Sequence, residues 1–453
     1  MKNDVEKNIS AGQKKYKPYP EYKNAGVDWL GRIPAHWNTI RLKRLFKVIN
    51  GSTPQSGVAE YWDGDIAWVT PEDLGKLVTG EIKKSDRCIT DAGYRTCGTS
   101  LVPAGSLVLS TRAPIGHLAI CCLDLCTNQG CRALVFRWKD NKYFYYYLIL
   151  TAKPELESWG QGSTFKELGK SKLEEIYLVQ LDAAEQRAIT VFLNRKTAKI
   201  DALIKKKEKL IELLQVKRTA IISHAVNKGL DPNVPMKDSG VEWLGKIPVH
   251  WEVKRLKYLI TSPLKYGANE SAELDDPDLP RYVRITDIDE NDGLRAETFK
   301  SLPAEVANEY LLREGDLLFA RSGATAGKTF LYRRSWGVCA FAGYLIRAQL
   351  NLEKACPEFV KYFTSSLSYW QWISSVFIQA TIQNVSAARY ASMLTPQPSM
   401  CEQREIVAFL NRELMKIDAL ITKIHDAIEK LTEYRAALIS AAVTGKIDVR
   451  GEA

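Results

Sequence analysis

The sequence predicts an α+β fold in which two pseudo-twofold-related α/β domains are separated by two long helices that pair as an antiparallel coiled coil. Three observations predict it. The box Gly26-Val-Asp-Trp-Leu-Gly-Arg-Ile-Pro-Ala-His-Trp37 recurs as Gly240-Val-Glu-Trp-Leu-Gly-Lys-Ile-Pro-Val-His-Trp251, with nine of twelve residues identical. A second box, Gln186–Ile204, recurs at Gln403–Ile421 with thirteen of nineteen identical. The segments between the boxes differ in sequence but share a texture: short apolar runs between Gly, Pro and Asp turn signals, then a long stretch free of Pro and Gly. A frame kept twice around unlike inserts points to one scaffold holding two different readers.

Taken in order, residues 1–37 hold a polar arm and the first box; Lys14, Lys15, Lys17 and Lys23 stand among Pro and Tyr in an arm that is loose or docks elsewhere. Residues 38–183 form the first domain, with strands expected at Ile66–Val69, Ser106–Leu109 and Ala133–Phe136 and a helix from Asn141 to Ala152. Residues 184–226 form the first long helix. Ile200, Leu203, Lys207, Leu210, Leu214, Lys217 and Ile221 recur there at alternating three and four spacing. Residues 227–251 form a turn-rich link, with Gly229, Pro232 and Pro235, and carry the second box. Residues 252–400 form the second domain, with strands at Tyr282–Ile285, Asp316–Phe319 and Tyr344–Arg347 and a helix near Pro357–Val376. Residues 401–453 form the second long helix and a tail; its stripe runs Ile417, Leu420, Ile424, Ala427, Leu431, Tyr434, Leu438 and Ala441. Both stripes have the period of a coiled-coil seam, and neither helix can bury its stripe alone. At ~1.5 Å per residue a 40-residue helix is ~60 Å long, so antiparallel pairing places the two domains at opposite ends.

Composition narrows the function. A hydrophobic fraction of 45% gives each half enough apolar mass for its own core. A formal charge of +10 and a pI near 9.0 favour a polyanionic partner. The nine cysteines (88, 97, 121, 122, 126, 131, 339, 356 and 401) are odd in number and unevenly spaced, and no signal peptide is recognisable. They read as free, mostly buried thiols in a reducing cytosol. The six between Cys88 and Cys131 lack the paired C-x2-C spacing of a zinc site. No apolar run approaches the ~20 residues of a membrane span.

Catalytic motifs are missing. No Pro-Pro pair is present, so the Asp/Asn-Pro-Pro-aromatic loop that holds a flipped adenine in a methyltransferase has no counterpart. Gly323-Ala-Thr-Ala-Gly-Lys-Thr329 has three residues between its glycines where a phosphate-binding loop needs four, and reads as a basic hairpin loop. The acid pairs Glu72-Asp73 and Asp275-Asp276 read as surface turns rather than a nuclease metal site. The five histidines (36, 117, 224, 250 and 425) form no local cluster. His36 and His250 are expected simply to pack between Pro and Trp.

The doubled Gly-Val-x-Trp-Leu-Gly-x-Ile-Pro-x-His-Trp box, the doubled Glu-Gln-x-x-Ile…Phe-Leu-Asn-Arg…Ile-Asp-Ala-Leu-Ile helix and the turn Gly315–Gly323 together resemble the specificity subunit of Type I restriction–modification enzymes, over about residues 20–445. The resemblance implies two target-recognition domains, each reading one half of a bipartite site in double-stranded DNA, with the helix pair setting the gap. It implies a non-catalytic chain that docks with two modification (methyltransferase) subunits and with restriction (endonuclease/translocase) subunits. Those partners carry S-adenosylmethionine, ATP and Mg, and this chain holds no cofactor or metal. A prokaryotic cytoplasmic location follows, without membrane contact.

Base readout needs forked donors and acceptors, and phosphate positioning needs Lys, Ser and Thr. The candidates in the first domain are Ser52, Thr53 and Gln55, then Ser110, Thr111 and Arg112, then Lys166 in the Gly162–Lys166 loop. In the second domain they are Lys265, Tyr266 and Asn269, standing in for Gly51–Gln55; Arg321 and Ser322, standing in for Ser110–Arg112; Lys328; and Gln383 and Asn384, standing in for Lys166 and Glu167. Arg112 and Arg321 carry the strongest expectation of guanine contact. From Asn194 to Arg218 the first helix carries nine basic residues against three acids, a face suited to spacer phosphates or acidic partner subunits. The alternative is a coiled-coil interaction scaffold without DNA specificity, which the basic charge and the Arg-, Ser- and Gln-bearing loops disfavour.

Overall fold

A computed structural model of the chain describes residues 16–77, 79–112, 114–138, 140–161, 166–289, 292–323, 325–378 and 384–452. The chain divides into two compact units: one runs up to Lys207 and resumes at Asp426, and the other is Glu208–His425. Each unit therefore holds one α/β domain, half of its own long helix and half of the other. The long helices are Ala183–Lys228, of 46 residues, and Met400–Val443, of 44 residues.

In the first unit an alternating apolar pattern builds a sheet buried on both faces. Its strand order is Phe46–Asn50, Cys131–Phe136, Leu107–Ser110, Leu118–Cys121 and Glu81–Ile82, antiparallel except for the last pair. Successive strand residues point to opposite faces. Leu107, Leu109, Leu118, Ile120 and Leu134 accordingly join the core built with helix Lys142–Thr151 and the start of the long helix. Val108, Ala119, Cys121, Cys131 and Ala133 join a smaller core with Ala67, Val69 and Leu74. Here Cys121 and Cys131 act as small apolar residues; burial pushes the Cys121 thiol up to about 12. The nine cysteines are all free, as thiols rather than disulfides, although Cys122 and Cys401 are exposed.

The second unit repeats this plan with almost no sequence in common. Lys265–Tyr266, Leu345–Ala348, Leu317–Ala320 and Thr329–Leu331 form an antiparallel sheet in the same order. Leu317, Phe319, Leu331 and Ile346 face the larger core, and Leu318, Ala320, Phe330 and Leu345 face the smaller one. In both units a strand beside this sheet, Trp62–Val69 or Arg281–Val283, ends in a turn closed by a buried aspartate. Asp73 accepts from the Thr70 amide at 2.8 Å and Asp287 from the Arg284 amide at 2.8 Å. Asp73 is thus a cap inside the fold and not a surface-turn acid. The strands on either side of the Gly-rich segment, Leu317–Ala320 and Thr329–Leu331, pair antiparallel, and Ala324 within it lies outside the described residues.

Within each unit the two long helices run antiparallel. Arg435 pairs with Asp201 at 2.8 Å in the first unit, and Arg218 with Asp418 at 3.3 Å in the second. Ile200, Leu214, Ile417, Ile424 and Leu438 are buried in the seam, with Ile221 and Leu431 partly buried. Leu203, Leu210 and Leu420 are not in it: they are 44, 42 and 43% exposed. The stripe instead passes through the next residue in each case, Ile204, Ile211 and Ile421. Each Leu-Ile pair offers an apolar side chain on both sides of the ideal line. Periodicity cannot choose between them, and the facing helix does.

The repeated box is the joint between helix ends. In the first unit Leu30, Ile33 and Trp37 are fully buried against the C-terminal segment Leu438–Val449. In the second, Leu244, Ile247 and Trp251 pack with Ile222, Ala225 and Val226. The box histidines do more than pack. His36 Nε2 lies 2.9 Å from Glu185, and His250 Nε2 lies 3.0 Å from Glu402, each glutamate in the first turn of a long helix. Residues 1–15 of the arm, with Lys14 and Lys15, lie outside those described, and the part from Tyr16 onward docks. Tyr16 and Tyr19 are buried, Tyr16 stacks edge-on against Phe192 at 5.3 Å, and the Lys17 carbonyl accepts from the Asp448 amide at 2.8 Å. The tail thereby supplies to the first box what Gly229 and its neighbours supply to the second.

Gly229 and Gly445 close the two helices in the left-handed conformation, with φ of 77° and 73°. A Cβ on Gly445 would also stand 2.3 Å from Pro34 Cδ, whereas one on Gly229 meets nothing closer than 3.4 Å. Gly229→Ala should cost about 1–2 kcal/mol from the backbone alone. Gly445→Ala should cost clearly more, read as a larger fall in the urea midpoint followed by Trp fluorescence. Equal losses would show that the box does not bear on the helix end.

Candidate nucleic-acid interface

In the first unit three polar segments gather at the ends of the sheet strands. Strand Phe46–Asn50 leads into Gly51–Gln55. A Cβ on Gly51 would fall 2.0 Å from the Asn128 carbonyl, so only glycine allows this approach. The Ser52 amide then donates to the Thr127 carbonyl at 2.9 Å. Two indoles hold the loop: Trp68 Nε1 donates to the Ser52 carbonyl at 2.9 Å and Trp62 Nε1 to that of Gln55 at 3.3 Å. Thr53 bonds Gln129. Thr111 and Arg112 follow strand Leu107–Ser110, and Arg112 bridges to Glu167. Lys166 is exposed beside them; residues 162–165 lie outside those described.

Side-chain chemistry links these segments. Arg112 Nε donates to Glu167 Oε2 at 3.0 Å. Arg132, with 9% of its side chain exposed, donates through Nη2 to Glu167 Oε1 at 3.3 Å and through Nη1 to Asn50 Oδ1 at 3.1 Å. Burial holds the Arg132 guanidinium below its usual range, while Glu167 works in the opposite direction. One carboxylate thus joins two arginines, and the buried one reaches across to the residue before Gly51.

The second unit builds the same place from other residues. Gly267 takes the role of Gly51: its Cβ would meet the Phe341 and Ala342 carbonyls at 2.3 Å. Tyr266, just before it, lies under the Arg321 guanidinium at 4.9 Å from the ring centroid. Tyr266 Oη accepts from the Ala387 amide at 3.0 Å. Ser322 bridges to Asn384, and Arg321 Nε stands 3.5 Å from Asn384 Oδ1, the outer limit of a hydrogen bond. Asn269 and Lys328 are exposed, and Gln383 lies outside the described residues.

Strand registers align the two units residue by residue and correct one correspondence, that of Lys265 and Tyr266. Ser110 pairs with Cys131 as Ala320 pairs with Leu345. Arg321 is therefore the counterpart of Thr111, and Arg112 that of Ser322. The two arginines sit one residue apart and still reach the same neighbour, Glu167 or Asn384. Lys265 and Tyr266 occupy the places of Ile49 and Asn50 rather than of Gly51–Gln55. The Ser110 and Thr111 side chains are buried in the fold. Ser110 Oγ donates to the Pro114 carbonyl at 2.7 Å, and Thr111 Oγ1 to that of Gly130 at 3.3 Å. Lys265 Nζ donates to the Glu309 carbonyl at 2.9 Å. Sequence reasoning missed Asn50 and Arg132, and placed Glu167 only as the counterpart of Asn384. A signal existed for Arg132: a lone arginine inside the apolar run Cys131–Phe136 needs a partner wherever it is buried.

No group of three or more His, Cys, Asp or Glu among the described residues could hold a metal ion, and no helix among them is long and apolar enough to cross a membrane. Forked donors and acceptors on a rigid sheet edge suit the recognition of base edges. The comparisons point the same way. Residues 34–213 and 248–430 each match the family described as the Type I restriction modification DNA specificity domain. The chain is 30% identical to the Type I restriction enzyme MjaIX specificity subunit of Methanocaldococcus jannaschii, over 68% of this chain and 71% of that one. It is 22% identical to the EcoBI specificity subunit of Escherichia coli, over 91% and 81%. Its fold also matches a chain in the solved structure described as showing complex assembly and conformational transition of the type I R-M system, with a TM-score of 0.68 at 14% identity over 91% of this chain and 98% of that one. With two matched domains covering most of its length, the chain belongs to the family of Type I restriction–modification DNA specificity subunits.

Proposed function

We propose that each unit reads one half of a split site in double-stranded DNA, so that the chain directs adenine methylation and restriction carried out by other subunits. One observation carries the reading: two domains share a backbone plan and differ at the positions that present polar forks. Asn50, Thr111-Arg112 and Glu167 in one stand where Tyr266, Arg321-Ser322 and Asn384 stand in the other. A shared frame with different side chains suits two different half-sites. Exposed Gln55, Lys166, Asn269 and Lys328 supply further base or phosphate contacts.

The chemistry falls to partners. Two modification subunits carry S-adenosylmethionine, and restriction subunits carry ATP and Mg, in a cytoplasmic complex. The long helices offer these partners exposed apolar side chains, among them Leu213, Val216 and Met415. Each long helix contributes to both compact units, which supports a role in setting the gap between half-sites.

Three outcomes test this reading. Replacing residues 40–184 by the matching insert of a relative should change one half of the methylated motif and leave the other intact. Sequencing methylated adenines in cells carrying the chimera reads both halves at once; a change in both, or in neither, contradicts two independent readers. Arg321→Ala should relax one base of the second half-site by about 1–3 kcal/mol of discrimination. A uniform loss on all sequences with a shallower salt slope would mark Arg321 as a phosphate contact instead. Inserting one heptad after Leu210 and another after His425 lengthens both helices by about 10 Å in phase. The half-sites should persist while the preferred gap grows by about three base pairs. An unchanged gap in an active complex would rule out the helices as the spacer.

A further inference from the structure

The contact between Arg112 and Glu167 has a chemical consequence. An arginine reads guanine with two parallel donors, taken either from Nη1 and Nη2 or from Nε and one Nη. Arg112 spends Nε on Glu167 Oε2, and its two Nη groups have no partner among the described residues. Only the terminal edge is then available for a base. Glu167 is itself fixed, because its other oxygen accepts from buried Arg132, which is anchored in turn on Asn50 at the strand end. The carboxylate is held from behind by a side chain that cannot swing into solvent, and it holds from the front one that is 45% exposed.

We propose that Glu167 is a positioning residue for recognition by the first domain: it fixes Arg112 so that the Nη1–Nη2 edge meets a guanine of the first half-site. The inference rests on the split-site reading above. The second domain solves the same problem without a charge. The equivalent residue is the neutral Asn384, and Arg321 is steadied by stacking on the Tyr266 ring. The acidic device therefore belongs to one half-site only. Glu167 touches no base in this scheme and acts through Arg112.

A double-mutant cycle in the intact complex tests this. The chain with its modification subunits is used to select from duplex DNA randomised over both half-sites. Arg112→Ala should remove the guanine preference at one position of the first half-site, on the order of tenfold or more. Glu167→Ala should weaken that same preference, and the double variant should equal Arg112→Ala alone. Glu167→Gln, whose single oxygen can still accept from Nε while its amide nitrogen faces Arg132, should restore part of the preference. The second half-site should be read unchanged throughout, which reports that the protein is folded. Additive losses from Glu167→Ala and Arg112→Ala would overturn the proposal by making Glu167 an independent base contact. An even loss over the whole first half-site that Glu167→Gln does not repair would overturn it in favour of a scaffold role. If the unaltered chain selects no split site, the parent reading fails with it; if it does and the cycle is additive, only this inference fails.

Discussion

A helix of more than forty residues with an apolar stripe along one side cannot stay single in water, because nothing else in a small α/β domain is long enough to cover it. This constraint shapes the chain. The two long helices cover one another, antiparallel, through Ile200, Ile204, Ile211 and Leu214 on one and Ile417, Ile421, Ile424, Leu431 and Leu438 on the other. Within each unit one ion pair, Arg435–Asp201 or Arg218–Asp418, helps to fix the register. Exposed pairs of this kind stabilise by less than about 1 kcal/mol each, so they select the register while burial of the stripe supplies the stability.

Antiparallel pairing brings the beginning of one helix beside the end of the other, and the repeated boxes occupy that place. Each box inserts a fully buried Trp, Trp37 or Trp251, against one helix end, and ties its His to a glutamate in the first turn of the other helix. The duplication of the box is thus the duplication of a joint. In the second unit the joint follows directly on the end of the first helix. In the first unit the same joint is closed without a covalent link, by the docked arm at Tyr16–Tyr19 and the tail at Lys446–Arg450.

Mounted on these joints, the two sheets are free to differ. Their strand order and two-sided burial are the same, as is the glycine that lets one loop touch the neighbouring backbone. What varies is the side chain at a few positions where strands end. A charged triad of Arg112, Glu167 and Arg132 in one unit is replaced by a stacked arginine and an amide in the other. Changing Arg112, Glu167, Arg321 or Asn384, none of which is buried, leaves the core untouched, so specificity can change without rebuilding the fold.

The sequence by itself determined the frame. Two repeated boxes, two long stretches without Pro or Gly and a 3.5-residue period are properties of neighbouring residues, and they are enough to give the duplicated α/β plan, the long helices and the family. Three things were decided only by tertiary structure. The seam chose Ile204, Ile211 and Ile421 over the adjacent leucines, because both side chains satisfy the local pattern and only the facing helix separates them. The likeness of the two inserts appears in strand pairing, where a buried aliphatic of any kind serves and sequence identity has no reason to persist. The site around Glu167 joins residues from strands and loops far apart in the chain. Asn50, Arg112, Arg132 and Glu167 bear on one another only because the sheet sets their strands side by side and a buried guanidinium must find its carboxylate.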